Sequence, residues 1–303
     1  MKHKKAILLF GPTTSGKSGL AVEIAKKFKG EIINADSMQV YKEIKILSAR
    51  PDEKGVKHHL YGFISVKKNF SVGQWYKLAS KKIKEVNKKN KIAIVVGGTG
   101  LYFKALIEGL VDMPEIPKKD YKLNPMNRDY LINHYSNRYP GIFDNINLND
   151  TQRLYRAISV YEHTGITLAN WHSKKNKIYF NNKDFIKICL IPPKLEIEKR
   201  IKKRFIDMLE NGALKEAKNF YRLDVWKNEL YTSNFIIGLR EIDNFLNKLI
   251  SMDTLKKQVL IRTRQYAKRQ YTWQKGQMKG WKGFTDTNYL NLRKKVLSYL
   301  SKT

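Results

Sequence analysis

A stretch of eight residues, GPTTSGKS at 11–18, constrains the fold more than any other feature of the sequence. It follows a run of apolar residues, Ala6–Phe10, and precedes a helical pattern from about Lys17 to Phe28. This is the G-x-x-x-x-G-K-[ST] pattern, in which backbone N–H groups surround phosphate oxygens, the lysine adds a charge and the hydroxyl can bind Mg²⁺. The residues expected at the phosphates are Gly11, Thr13, Thr14, Ser15, Gly16, Lys17 and Ser18, of which Ser18 is also the expected metal ligand.

Apolar runs alternate with helical patterns over much of the chain, and this alternation is typical of a parallel sheet with crossover helices. The predicted strands are Ala6–Phe10, 31–35, 92–96 and 185–191, and Gly30 is predicted to end the first helix. The sequence therefore predicts an α/β fold, a P-loop NTPase-like parallel sheet flanked by helices. Between Pro114 and Lys183 the alternation stops, which predicts a helical insertion domain at 116–183 within a core formed by 1–115 and 184–303.

Charge and cysteine content limit the partners and the compartment. Lysine and arginine number 59 against 27 acidic residues, a net charge of +32 that favours a polyanionic partner, although lysines scattered over solvated helix faces would give the same total. The single cysteine, Cys189, excludes a disulfide framework and suits a reducing compartment. The apolar run at 6–10 is too short for a signal peptide or a membrane span. We therefore expect a cytoplasmic protein without membrane contact.

Asp36 follows the second predicted strand in "NADSMQVYK", at the carboxyl edge where open α/β sheets bind ligands. From the residues alone three roles are open for it. It could hold Mg²⁺ through water, accept a proton as a general base, or cap the next helix together with Ser37.

Thr99 and Arg204 can each be interpreted either as a structural or as a functional residue. Thr99 follows two glycines after the third predicted strand, where its hydroxyl could cap the next helix or take part in the site. Arg204 lies beside Phe205 on an amphipathic helix, where its guanidinium could grip a phosphate or be a solvated charge.

Two segments suggest contact with unpaired nucleotides. Residues 254–285 contain nine lysines or arginines and no acidic residue, interleaved with tyrosines and tryptophans that could stack on bases or fill the core. In the insertion, "NDTQRLYRAISVYEHTG" predicts a helix with Leu154 and Ile158 inward, and Asn149 with Gln152 resembles a capping box.

The adjacent His58 and His59 would point to opposite faces of a strand, which makes shared chelation of one metal difficult.

Eight stretches in the same order together resemble the tRNA dimethylallyltransferase family, the tRNA isopentenyl-diphosphate transferases. The matching stretches are GPTTSGKS at 11–18, DSMQVY at 36–41, HHL at 58–60, VVGGTGLYFKAL at 95–106, NDTQRLYRA at 149–157, RIKKRFIDMLENG at 200–212, IIGLREI at 236–242 and RTRQYAKRQYTW at 262–273. They are distributed from residue 11 to residue 273, and so along most of the chain. One departure is Leu239 in IIGLREI, where the family usually has an aromatic residue.

The resemblance implies a donor, an acceptor and residue roles. The phosphates would belong to dimethylallyl diphosphate, the acceptor would be the exocyclic amine of the adenine 3′-adjacent to the anticodon, and Mg²⁺ would be the cofactor. Asp36 would be the general base, Thr99 would position the reacting groups, and Arg204 would neutralise the leaving diphosphate. The residues implied at the tRNA anticodon stem-loop are Asp36, Ser37, Met38, Gln39, Gln152, Arg153, Leu154, Tyr155, Arg156, Arg262, Arg264, Lys268 and Arg269.

Two other functions share the phosphate loop. A prenyltransferase acting on free adenine nucleotides would have less need of an insertion and a basic C-terminal stretch. A small-molecule kinase or a nucleic-acid-binding NTPase would use ATP on the same loop. We expect the tRNA enzyme, acting as a monomer.

Overall fold

Buried apolar strands form the centre of the computed structural model, which describes residues 4–116, 128–227 and 231–303. Every residue of the first strand, Ala6–Phe10, is fully buried, as expected when helices cover both faces of a parallel sheet. Among the described residues, six strands form one parallel sheet in the order β3-β2-β4-β1-β5-β6. The strands are β1 (Ala6–Phe10), β2 (Gly30–Asn34), β3 (His58–His59), β4 (Ile92–Gly97), β5 (Phe185–Leu190) and β6 (Lys282–Phe284).

Helices connect and cover these strands, so the predicted P-loop NTPase-like α/β fold is confirmed. In chain order the α-helices of the described residues are α1 (Lys17–Phe28), α2 (Val72–Lys88), α3 (Gly100–Glu108), α4 (Arg128–Arg138), α5 (Thr151–Thr164), α6 (Leu168–His172), α7 (Lys194–Glu210), α8 (Ala213–Tyr221), α9 (Leu239–Leu246), α10 (Met252–Gln277) and α11 (Tyr289–Lys302). In the described part of the chain, no helix is both long and apolar enough to cross a membrane.

The four predicted strands are present, with ends that differ by at most one residue. β3 and β6 were not predicted, because strands of two and three residues carry no periodic apolar signal. Two predicted helix caps are wrong. Lys29, in the left-handed conformation with φ of 52°, caps α1, whereas Gly30 already pairs in β2. Asp150 caps α5 by accepting the N–H of Arg153, so Asn149 and Gln152 form no capping box.

The chain divides into two compact units. The first contains the described residues up to Glu108 together with Tyr179–Thr303, and it holds the whole sheet. The second is Gly109–Ile178, which contains α4, α5 and α6. This unit overlaps most of the range 116–183, and the assignment of that range as a separate helical insertion domain stays a prediction.

The order of the strands determines which loops meet at the carboxyl edge of the sheet. The central strand β4 pairs with β2 on one side and with β1 on the other. The loop after β1 is GPTTSGKS, the loop after β2 begins with Asp36, and the loop after β4 contains Thr99. Because the strands are parallel, these three loops lie side by side at one edge.

Candidate active site

The loop after β1 has the backbone geometry of a phosphate cradle. Thr14 and Gly16 adopt positive φ values of 59° and 84°, which turns successive N–H groups toward one side. No side chain caps the start of α1, and the first N–H groups of a helix have no partner within it. The Lys17 ammonium donates to the carbonyl of Pro12 at 3.2 Å and so lies back over the loop. Such a loop can bind a diphosphate.

Buried Asn34 shapes the turn that carries Asp36. The Asn34 side chain is fully buried, and its amide accepts the N–H of Asp36 at 2.8 Å and donates to the Asp36 carbonyl at 2.9 Å. One Asp36 carboxylate oxygen accepts the N–H of Met38 at 3.0 Å. No helix begins at this turn, so the helix-capping interpretation of Asp36 and Ser37 is wrong.

Thr99 connects the loop after β4 to the Asp36 loop. Its hydroxyl accepts the N–H of Ser37 at 3.0 Å, and its own N–H donates to the carbonyl of Ala35 at 3.2 Å. Only glycine fits two residues earlier, because a Cβ on Gly97 would lie 2.0 Å from the Ala35 oxygen. The Thr99 hydroxyl also hydrogen-bonds the phenol of Tyr266 on α10. It is therefore engaged in the site rather than in capping α3.

Two cations and one carboxylate interact at this edge. Burial lowers the pKa of Lys17 to about 8, with Asp36 opposing this shift and Arg204 adding to it. Burial likewise lowers the pKa of Arg204 to about 10, opposed by Asp36 and Tyr266. Arg204 is partly buried and close enough to Asp36 and Lys17 to affect their energies, so it is not a solvated helix charge.

Three phenols lie close enough to the Asp36 carboxylate for its charge to affect their pKa. Burial raises the pKa of Tyr61, Tyr102 and Tyr266, and the negative charge of Asp36 raises each of them further. These phenols therefore stay protonated at neutral pH, where they are able to donate hydrogen bonds. The arrangement places a proton acceptor, two cations and a phosphate cradle within one site.

The lowered pKa of Lys17 predicts how donor use depends on pH. Because the ammonium loses its proton as pH rises through about 8, we expect kcat/KM for a diphosphate donor to fall above that pH. The Lys17→Arg variant keeps its charge in this range, so its pH profile should lack that descending limb even if its overall rate is lower. The same descending limb in wild type and variant would assign the ionisation to another group.

Several side chains expected at RNA have partners within the protein. Gln39 is buried and donates its amide to the carbonyls of Ser48 and Ala49, both at 3.0 Å. Leu154 and Tyr155 are buried within the second unit. Arg153 pairs with Asp150 at 3.1 Å, and Gln152, Arg153 and Arg156 are exposed on α5. RNA contact by this set remains a prediction.

The basic residues of α10 that are expected at RNA also differ in whether they have partners within the protein. Arg262 pairs with the buried Glu241 at 2.5 Å, which in turn accepts the N–H of Gly238 at 3.0 Å. Arg264 pairs with Glu198 at 3.0 Å. Lys268 and Arg269 are exposed and line a groove of about 640 Å³ along α10. Of the four cations on α10 that are predicted to bind RNA, Arg262 and Arg264 form ion pairs within the described residues, whereas contact of Lys268 and Arg269 with RNA remains a prediction.

One face of α10 carries Gln270, which the sequence did not single out, between Tyr266 and Trp273, two of the aromatic residues predicted either to stack on bases or to fill the core. Tyr266, Gln270 and Trp273 have the i, i+4, i+7 spacing of one helix face. They meet Thr99, the Gly98 carbonyl and the Gly100 backbone respectively, and a Cβ on Gly100 would lie 2.2 Å from the Trp273 ring. No sequence pattern marks Gln270 as a buried residue, although the structure leaves it only 4% exposed.

Two features noted in the sequence are explained by packing. The His59 ring lies 2.7 Å from the buried Glu31 carboxylate, and the His58 ring lies 2.7 Å from the carbonyl of Val56, so the two rings have separate partners. Leu239, the departure from the family pattern, is fully buried in a hydrophobic cluster. Leu239 is therefore a core residue in this chain.

Comparison with known proteins decides the family. The sequence model of the family described as IPP transferase matches residues 39–277, more than half of the chain. The chain belongs to the IPP transferase family. This membership confirms the resemblance found in the motifs. The matched range includes Thr99, Arg204 and α10, whereas the phosphate loop and Asp36 precede it.

Relatives and solved structures agree with this assignment over nearly the whole length. A tRNA dimethylallyltransferase of Pelagibacter ubique is 46% identical over 288 residues, covering 92% of this chain and 91% of the relative. One from Parvibaculum lavamentivorans is 38% identical and covers 98% of this chain and 96% of its own. The tRNA isopentenylpyrophosphate transferase of Bacillus halodurans has a TM-score of 0.71 at 27% identity, with 99% and 96% coverage. A eukaryotic dimethylallyltransferase acting on tRNA has a TM-score of 0.76 at 28% identity, with 98% and 77% coverage.

Proposed function

We propose that this protein is a tRNA dimethylallyltransferase, which transfers a dimethylallyl group from dimethylallyl diphosphate to the adenine 3′-adjacent to the anticodon. The observation that carries the proposal is the meeting of Asp36 with Lys17 and Arg204 beside the phosphate loop, in a chain that belongs to the IPP transferase family. The exocyclic nitrogen of adenine forms a bond to C1 of the dimethylallyl group while the bond from C1 to the diphosphate oxygen breaks. One product is N6-dimethylallyladenosine in tRNA, and the other is diphosphate.

Proton removal is the first demand of this reaction. The lone pair of the adenine amine is delocalised into the ring, so the nitrogen is a poor nucleophile until a base withdraws its proton. Asp36 is the general base in this proposal, and Thr99 positions the reacting groups from the adjacent loop. Two hydrogen bonds support this role. The Asn34 side chain accepts the Asp36 N–H and fixes the backbone of the turn, and the Met38 N–H donates to the Asp36 carboxylate.

Stabilisation of the leaving diphosphate is the second demand. The loop N–H groups, Lys17 and Arg204 would neutralise the charge that builds on it, usually the largest electrostatic term in such a site. In the described part of the chain, no three His, Cys, Asp or Glu side chains cluster to hold a metal. Mg²⁺ usually binds through one or two protein oxygens plus substrate phosphates, and the Ser18 hydroxyl beside Lys17 fits that donor set. Bound there, Mg²⁺ would supply further charge neutralisation to the diphosphate.

Access to the base is the third demand. The target adenine must leave its stack to reach Asp36, which costs a few kcal/mol and is least costly in a flexible anticodon loop. The exposed cations Lys268 and Arg269 lie on the same helix as Tyr266 and Gln270, which reach the site. We propose that α10 guides the RNA backbone and that the exposed residues of α5 contact the anticodon stem-loop. The donor identity, a monomeric state and a cytoplasmic location belong to the same proposal.

The exposed position of Lys268 predicts an effect on RNA binding without an effect on chemistry. Lys268→Gln should weaken tRNA binding at all salt concentrations and lower the magnitude of the log–log salt slope by about 0.7–1, the contribution of one phosphate contact. The rate at saturating tRNA should change little. Lys26→Gln, at an exposed position near the end of α1, is the matched control and should leave the slope unchanged. Equal slopes for both variants would mean that this face of α10 is solvated surface and does not contact RNA.

Release of diphosphate in the presence of different acceptors separates the proposal from its alternatives. With dimethylallyl diphosphate as donor, we expect release that depends on unmodified tRNA. Release with AMP as acceptor and none with tRNA would identify a prenyltransferase of free nucleotides. Hydrolysis of ATP, or phosphoryl transfer from it, at ordinary enzyme rates would identify a kinase or NTPase.

A further inference from the structure

Gln270 connects two loops of the site that are far apart in the sequence, the phosphate loop and the loop after β4. Its side-chain carbonyl accepts the N–H of Thr13 in the phosphate loop at 2.8 Å. Its side-chain NH₂ donates to the carbonyl of Gly98, next to Thr99, at 2.9 Å. The orientation of the amide is fixed by its partners, since a backbone N–H can only donate and a backbone carbonyl can only accept. Both ends of the amide are therefore used at once.

The surroundings of Gln270 leave no room for another arrangement. The side chain is 4% exposed, and Thr13 is 7% exposed, so water cannot readily replace either hydrogen bond. A Cβ on Gly98 would lie 2.1 Å from the Gln270 nitrogen, so the glycine loop approaches the amide as closely as its backbone permits. The neighbouring strands β1 and β4 bring the two loops together, and the Gly11 N–H donates to the Gly97 carbonyl at 3.3 Å. Gln270 adds two shorter hydrogen bonds, at 2.8 and 2.9 Å, between the same two loops.

We infer that Gln270 is a positioning residue, which holds the diphosphate-binding loop in register with the loop of Thr99 so that donor and base face each other. This inference rests on the proposed function for its benefit to transfer, but the hydrogen bonds act on the phosphate loop whether or not RNA is the acceptor. Loss of the amide should therefore weaken the binding of inorganic diphosphate and raise KM for the donor. It should leave tRNA affinity nearly unchanged, because Lys268 and Arg269 remain on the exposed face of α10.

The Gln270→Glu variant tests the hydrogen bonds themselves. A protonated carboxyl has the same shape as the amide and can accept from Thr13 while donating to Gly98, whereas an ionised carboxylate has no proton to donate and faces the Gly98 oxygen with negative charge. Burial raises the pKa of a glutamate, so the two forms should interconvert between about pH 5.5 and 7.5. Lys17, whose pKa is about 8, stays charged across most of this range.

The measurement is the affinity for inorganic diphosphate by calorimetry, expressed as the ratio of variant to wild type at each pH, with and without Mg²⁺. We expect Gln270→Glu to bind about 10- to 100-fold more weakly near pH 7.5 and to approach wild type as pH falls. The ratio cancels the titration of diphosphate itself. Gln274→Glu, one helical turn along α10, adds the same charge and should give a ratio near one that does not depend on pH.

Other outcomes would overturn the inference. A ratio near one at every pH, or a reduced ratio that does not recover at low pH in a folded variant, would exclude these hydrogen bonds as the cause. If Gln270→Glu does not fold, Gln270→Met offers a similar volume without the amide, and unchanged diphosphate affinity in it would overturn the inference equally. A wild-type protein that binds diphosphate but fails to modify tRNA would contradict the proposed function alone.

Discussion

Replacing Asp36 by asparagine is expected to slow dimethylallyl transfer by about 10²–10⁴-fold while tRNA affinity stays nearly unchanged. The variant keeps an oxygen that can accept the Met38 N–H, so the turn should be preserved. It loses the ability to take up a proton from the adenine amine. Single-turnover kinetics at saturating tRNA and donor measure this step directly.

A surface carboxylate provides the matched control for Asp36. Asp52 is 71% exposed and pairs with Lys45 at 2.8 Å, outside the site. Asp52→Asn should therefore transfer the dimethylallyl group at the wild-type rate. Wild-type turnover in Asp36→Asn would remove Asp36 as the base.

Replacing Arg204 by glutamine is expected to lower kcat by about 10²–10³-fold, the effect of removing one preorganised donor from a developing negative charge. Burial lowers the pKa of the guanidinium only to about 10, so it remains charged at neutral pH. Its charge acts within a partly buried site shared with Lys17 and Asp36, where solvent screening is weaker than at the surface.

Arg200 is the control on the same helix, one turn before Arg204. It pairs with Glu196 at 2.7 Å and donates to the Thr287 carbonyl at 2.8 Å, so its guanidinium is already engaged. Arg200→Gln should leave kcat essentially unchanged. Equal losses of kcat in the two variants would mean that Arg204 acts through the stability of α7 rather than on the leaving group.

The centre of the fold could be predicted because its signals are local. β1 and α1 have the predicted bounds, since the apolar run 6–10 and the phosphate-loop pattern each specify their own structure. Asp36 and Thr99 could be placed near the phosphates because parallel strands bring their carboxyl ends to one edge. The six-stranded order, with β4 between β1 and β2, then makes their loops neighbours.

The parts that escaped prediction depend on tertiary contacts. Asn34 and Gln270 are polar residues in buried positions, and a sequence pattern that reads polar as exposed assigns them to the wrong face. Arg204 could be placed inward only through the family resemblance, since its spacing equally suits a solvated charge. The edge strands β3 and β6 form only because neighbouring strands already present hydrogen-bonding edges.

The basic stretch at 254–285 shows the same limit. The number of basic residues in this stretch does not tell which of them have partners within the protein. Arg262 and Arg264 pair with Glu241 and Glu198, whereas Lys268 and Arg269 are exposed. The first two cations stabilise contacts of α10 with α9 and α7, where truncation would leave a buried carboxylate such as Glu241 without its partner. Variants of Lys268 and Arg269 therefore test RNA binding more cleanly than variants of Arg262.

Nucleoside mass spectrometry tests the proposed function most directly. Unmodified tRNA is incubated with the purified protein and Mg²⁺, with dimethylallyl diphosphate in one reaction and ATP in the other, and the digested nucleosides are analysed. We predict N6-dimethylallyladenosine in the first reaction only, located 3′-adjacent to the anticodon, and its near-complete loss in Asp36→Asn. Unmodified tRNA in the first reaction, with AMP prenylated instead or ATP consumed in the second, would contradict the proposal.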